Sequence, residues 1–252
     1  MSGKVYLVGA GPGAPDLLTL RAAQLLSVAD IVFHDALVHP GTLALAARAV
    51  TIAVGKRSGA HSTAQRFINK QLVDASRKYA IVVRLKGGDP MLFGRAQEEI
   101  DALKQAGVAF EVVPGITAAC AASAEIGVPL TRRGASRQVS IVTPRAGKGE
   151  RENEWARAVL AADTAVIYMG AGLAAAISST LIGRGKPGDT PLAVVENASL
   201  PESRILYGTL AELPQITASL GAGPAVIILG EVLREALASR SGFESLRQLL
   251  RA

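Results

Sequence analysis

Val5-Tyr6-Leu7-Val8-Gly9-Ala10-Gly11-Pro12-Gly13 decides the fold: four apolar residues stop at a Gly/Pro turn, and Leu18, Ala22, Leu25, Leu26 and Ala29 then follow at helical spacing. A short apolar run, a glycine turn and an amphipathic helix open an α/β domain, in which strands alternate with the helices that cover them. Working outward, strands are predicted at Ile31–Phe33, Thr51–Val54, Ile81–Leu85 and Phe110–Val113. A second series begins after the alanine-rich stretch at 118–124, with strands at Val139–Val142, Ala165–Met169, Leu192–Val195 and Ala225–Leu229. The expected fold class is therefore α/β: two α/β domains with mixed, mainly parallel sheets and a ligand cleft between them. The boundaries fall at residues 1–114 and 115–240, because Pro114 and Gly115 interrupt both helix and strand. Ser241 precedes Glu244 by three, a capping-box spacing, and Phe243, Leu246 and Leu249 share a face, so 241–252 reads as a helical tail. The polar segment Arg145–Glu154 reads as a mobile surface loop.

Composition narrows the function classes. No apolar stretch approaches the roughly 20 residues that a membrane-spanning helix needs, and Met1-Ser2-Gly3-Lys4 leads straight into the first strand without a signal region, so a cytoplasmic location is expected. Cys120 is the single cysteine and lies among small residues, where a packed thiol is expected. His34, His39 and His61 lack the Cys and acidic partners of a zinc site, so no metal is expected. The net charge of +6, carried mostly by arginine, favours an anionic partner. Basic residues are scattered and aromatics make up only 4%, which argues against nucleic acid and for a small polyanion.

Three glycine-rich segments carry the chemistry. Gly9-Ala10-Gly11-Pro12-Gly13 has the outline of a dinucleotide fingerprint. A pyrophosphate cradle works through backbone N–H donors, however, and Pro12 and Pro15 have none, so the loop suits a ligand without phosphates. Lys86-Gly87-Gly88-Asp89-Pro90 ends a strand, where open α/β sheets place ligands. Asp89 is suited either to a ribose hydroxyl or amine, or to capping the next helix. Val113-Pro114-Gly115-Ile116-Thr117-Ala118 joins the two halves, and Tyr168-Met169-Gly170 and Glu196-Asn197 end strands of the second. Arg95 precedes Glu98 by three; it is a candidate for orienting substrate or assisting proton removal, or else a surface ion pair.

In order, VGAGPG (8–13), LLTLRA (17–22), VGKR (54–57), RLKGGDP (84–90), FGR (93–95) and VPGITA (113–118) make a set that closely resembles the uroporphyrinogen-III C-methyltransferases of the tetrapyrrole methyltransferase family. The resemblance covers roughly residues 4–236. It implies the class III methyltransferase fold with S-adenosylmethionine (SAM) in the cleft, S-adenosylhomocysteine as by-product, and a homodimer. It also implies two methylations of uroporphyrinogen III, on rings A and B, through precorrin-1 to precorrin-2, the entry to sirohaem and cobalamin. Carried over by position, SAM contacts fall at Pro12, Gly87, Gly88, Asp89, Leu92, Thr117, Ala118, Met169 and Ala198, the last a place where many relatives have glycine. Thr143-Pro144-Arg145 departs from the Thr-Gly-His common among relatives. Asp35 is implied as proton acceptor, against a turn-capping role, and Lys56 as proton donor, against binding a substrate carboxylate. Arg57, Arg132 and Arg133 are suited to the substrate's carboxylates or form a solvated cationic face. The competing readings are a family member acting on a later corrin precursor, an NAD-dependent oxidoreductase and a noncatalytic binding module. No fused dehydrogenase or chelatase segment is recognised, so methylation alone is expected.

Overall fold

The computed structural model describes residues 3–54, 65–146 and 154–239. The predicted helical tail, Lys56, Arg57 and most of the 145–154 loop lie outside them. The chain divides into two compact units, Met1–Ala118 and Ala119–Ala252.

The first unit is built on β1 (Lys4–Gly9), β2 (Ile31–His34), β3 (Val50–Ala53), β4 (Ile81–Lys86) and β5 (Phe110–Val113), in the order β3-β2-β4-β1-β5. All four pairings are parallel. Its helices are α1 (Leu20–Val28), the single turn α2 (Pro40–Leu43), α3 (Gln65–Ser76) and α4 (Ala96–Gln105). A parallel sheet needs cover on both faces, and alternate residues of each strand supply it. Val8, Val32, Val83 and Leu85 pack with Ala22 and Leu26 of α1. Val5, Leu7, Ile31, Phe33 and Val82 pack on the other face with Ile68 and Leu72 of α3 and Ile100 and Leu103 of α4. The Thr19 hydroxyl accepts the Ala22 N–H at 3.1 Å and starts α1.

In the second unit, β6 (Val139–Val142), β7 (Thr164–Tyr168), β8 (Pro191–Glu196), β9 (Arg204–Thr209) and β10 (Ala225–Gly230) form a sheet ordered β6-β7-β10-β8-β9. Its helices are α5 (Ala118–Ile126), α6 (Trp155–Ala161), α7 (Ala174–Gly183) and α8 (Leu213–Ala218). Only β6–β7 is parallel; β7–β10, β10–β8 and β8–β9 are antiparallel. Parallel pairings thus hold the majority across the two sheets, as expected, but nearly all belong to the first. Strand β9 has no counterpart in the sequence reading. One sheet face carries Val159, Ile177, Leu181 and Leu213 of the helices α6, α7 and α8. The other carries Ala119 and Ala122 of α5 with Val232 and Leu233.

Cys120 is exposed, contrary to the expected packing. Ala119, Ala121 and Ala122 occupy the buried face of α5 and leave position 120 on the opposite one. No helix among the described residues is long and apolar enough to cross a membrane.

Candidate active site

Strands β1 and β4 are neighbours, yet the chain leaves β1 toward β2 and leaves β4 toward β5, in opposite directions across the sheet. Such a reversal opens a crevice at the carboxyl ends of the strands, the usual ligand position in open α/β sheets. Gly9–Gly13 and Gly87–Asp89 both emerge there.

The two loops are joined main chain to main chain. Gly88 N donates to Gly11 O at 2.7 Å, Gly11 N to Gly88 O at 3.2 Å, and Ala10 N to Lys86 O at 2.7 Å. Gly11 (φ 73°) and Gly88 (φ 69°) both hold left-handed conformations, which glycine adopts without steric cost. The amides of Ala10 and Gly11 are therefore engaged by the neighbouring loop, and Pro12 has none. An α-helix does not start at this turn either, since α1 begins only at Leu20. This geometry removes the donors on which a pyrophosphate cradle depends and suits a ligand recognised by carbonyls and shape.

Asp89 fastens a third loop to the first two. Its Oδ2 accepts from Gly115 N at 2.9 Å and its Oδ1 from Met91 N at 2.8 Å. A carboxylate has about four lone-pair positions, so both oxygens keep acceptor capacity toward a hydroxyl or amine. Leu92 follows in the turn, its N–H donating to Asp89 O at 3.3 Å. Asp35, just beyond β2, is held against the same loop: Oδ2 accepts from Gly87 N and Oδ1 from Leu37 N, both at 3.1 Å. The first unit thus brings together Pro12, Asp35, Gly87, Gly88 and Asp89.

Arg95 stands apart from that group in character. It takes a left-handed conformation (φ 54°) immediately before α4, and its guanidinium grips Glu98 through two bonds of 2.7 and 2.8 Å at an exposed position. Thr117 and Ala118 lead into α5. In the second unit, the Tyr168 hydroxyl accepts the N–H of Ala119 at 2.8 Å, fixing the first turn of α5 to the end of β7. Met169 follows in a left-handed conformation (φ 55°) and is 44% exposed. Ala198, after β8, is buried between Asn197 and Ser199, which both have positive φ. Arg132 and Arg133 are exposed, and Arg132 pairs with Glu235 at 2.9 Å.

Missed by the sequence reading is a buried charge cluster behind the Gly87–Asp89 loop. Glu99 of α4 receives Arg84 Nε at 3.1 Å and Lys86 Nζ at 2.8 Å. The available signal is a carboxylate four residues after Arg95 and three after Ala96 at the start of α4, but nothing local marks it as buried.

Comparison with known proteins gives the family. A model of the tetrapyrrole (corrin/porphyrin) methylases matches residues 4–214. The siroheme synthase of Chromobacterium violaceum is 47% identical over 234 residues, covering 92% of this chain and 50% of that protein. That of Zymomonas mobilis is 47% identical over 231 residues, covering 91% and 49%. The chain spans about half the length of these curated relatives. Among solved structures, the uroporphyrin-III C-methyltransferase of Thermus thermophilus, complexed with S-adenyl homocysteine, is 40% identical with a TM-score of 0.81, covering 92% of this chain and 99% of that one. A cobalt precorrin-4 methyltransferase is 29% identical with a TM-score of 0.78, covering 91% and 95%. With the family model spanning both the joined glycine loops and most of the second sheet, the chain belongs to the tetrapyrrole (corrin/porphyrin) methylases.

Proposed function

We propose that this chain is a SAM-dependent C-methyltransferase that methylates uroporphyrinogen III twice, on rings A and B, to give precorrin-2. The observation that carries the reading is the main-chain junction of Gly11 with Gly88, which engages the amides a phosphate would need at the point where the sheet places its ligand. It is supported by 40% identity, over nearly the whole length of both chains, to a uroporphyrin-III C-methyltransferase structure holding S-adenyl homocysteine.

SAM supplies a methyl group already activated by its sulfonium charge, and the chain's own contribution is alignment, which can account for roughly 7 to 11 kcal/mol of a barrier. In this proposal Pro12, Gly87, Gly88, Asp89 and Leu92 of the first unit contact SAM, together with Thr117, Ala118, Met169 and Ala198. Asp35 takes the proton released by the ring system after its carbon is methylated. Two backbone N–H donors hold its carboxylate in place for that task. Lys56 serves as a proton donor, and Arg95, fixed by Glu98, orients the substrate. Arg57, Arg132 and Arg133 bind its carboxylates. A cytoplasmic homodimer is part of the same proposal.

The test is direct. Purified protein given SAM and freshly generated uroporphyrinogen III without oxygen yields a product carrying two added methyl groups by mass spectrometry. No mass gain while the substrate stays reduced refutes the assignment. Light scattering tests the dimer.

A further inference from the structure

On β4, Arg84 and Lys86 alternate with Val83 and Leu85, and all four are buried. Leu85 and Val83 face α1. Arg84 and Lys86 therefore project to the opposite face, where Glu99, itself 0% exposed, accepts from both. Gln65 adds a third bond to Glu99 at 3.1 Å. Arg84 also donates to Leu85 O at 3.0 Å and to Phe33 O at 3.5 Å, tying the ends of β2 and β4 together. Two cations and one carboxylate leave an excess positive charge, and a buried charge lacking a counterion is strongly unfavourable.

The strand register supplies the missing anion. His34 pairs with Leu85, so Asp35 follows beside Lys86 on the same face of the sheet. The Asp35 carboxylate accepts the N–H of Gly87, the residue next to Lys86. With Asp35 included, the group holds two positive and two negative charges. Burial, then Arg84, pushes the Lys86 ammonium below its usual range, and Glu99 and Asp35 oppose that push. Lys86 runs past Gly94, where an added Cβ would come within 3.2 Å of its Cε.

We infer that Lys86 is a positioning residue for the reaction: anchored on Glu99, its ammonium is the countercharge that keeps the Asp35 carboxylate seated on the Gly87 amide. Its effect on turnover rests on the function proposed above; its charge coupling to Asp35 does not.

Two measurements on the full chain separate these. The first is a double-mutant cycle of Asp35→Asn and Lys86→Met, followed by the urea midpoint without SAM. Each single variant leaves the group unbalanced and the double variant restores balance, so the double variant is at least as stable as the weaker single one. Additive losses overturn the inference. If Lys86→Met fails to fold, Lys86→Gln, which still bonds Glu99 without a charge, replaces it in the cycle. The second is kinetic: Lys86→Gln lowers kcat by up to about a hundredfold with the KM for SAM kept, and Lys86→Arg recovers most of it. Unchanged kcat in Lys86→Gln, or no recovery in Lys86→Arg, overturns the positioning role. A non-additive cycle in a protein with no methyl transfer at all refutes the proposed function and leaves the countercharge standing.

Discussion

Gly9 and Gly115 lie back to back: a Cβ on Gly9 would fall 2.6 Å from both Cα and N of Gly115, and one on Gly115 would fall 2.8 Å from Cα of Gly9. No side chain can yield to relieve such contacts, because the colliding atoms are backbone. Overpacking of this kind typically costs about 1–3 kcal/mol. Gly115→Ala is therefore expected to lower the urea midpoint accordingly and to weaken SAM binding, measured by calorimetry. An alanine variant with wild-type stability and affinity would show that the loops separate freely.

Asp89 and Asp35 meet at one loop but differ in what they hold. Asp89 fixes Gly115 and Met91, whereas Asp35 fixes Gly87 and Leu37. Losing a carboxylate acceptor from two backbone donors costs about 1–3 kcal/mol where those donors are left unpaired. Asp89→Ala is expected to weaken SAM binding more than Asp35→Ala, and Asp35→Ala to lose turnover more than affinity. Equal, undiminished affinities in the two variants would remove Asp89 from the cofactor site.

Glu99→Ala leaves Arg84 and Lys86 buried around a hole where their common anion stood. Breaking a buried pair from one side typically costs about 3–5 kcal/mol. A loss near that size is expected in chemical denaturation. Glu98→Ala, which breaks only the exposed pair with Arg95, is expected to cost about 1 kcal/mol or less.

Asp163 gives the pH dependence a sign. Its Oδ2 accepts from Arg137 N at 2.8 Å and Gln138 N at 3.0 Å, and these two bonds hold the carboxyl below its usual 3.8. A folded value lower than the unfolded one means that the stabilisation is complete above pH 3.8 and disappears as pH falls through the folded value. Asp163→Asn is thus less stable than the parent at neutral pH, and the gap closes in acid. Urea midpoints at pH 7 and below pH 3 check this, and a constant gap would contradict it.

Nine of the ten strands among the described residues are written plainly in the sequence, because runs such as Leu192–Val195 and Ala225–Leu229 bury both faces and read as unbroken apolar segments. Strand β9 escapes that reading. It sits at a sheet edge and mixes Arg204 and Gly208 with Ile205, Leu206 and Tyr207, so its apolar content is diluted. Periodicity also carries no strand direction, which is why the antiparallel character of the second sheet was not legible. The glycine loops were found because Gly and Pro punctuate so strongly. Their contacts were not: Asp89 meets Gly115 across 26 residues and Asp35 meets Gly87 across 52. Arg84, Lys86 and Glu99 stayed hidden for another reason, since charged residues are ordinarily exposed and only the assembled fold shows these three sealed beneath the loop.

The Gly11–Gly88 junction bears on how this scaffold can be re-engineered. Both partners offer backbone atoms alone, so a scan that trims side chains passes over the two bonds that occupy the amides of Gly11 and Gly88. Converting the turn to hold a diphosphate would mean parting two strands' exits and freeing amides one by one; Pro12→Gly by itself returns a single donor to a loop still laced to its neighbour.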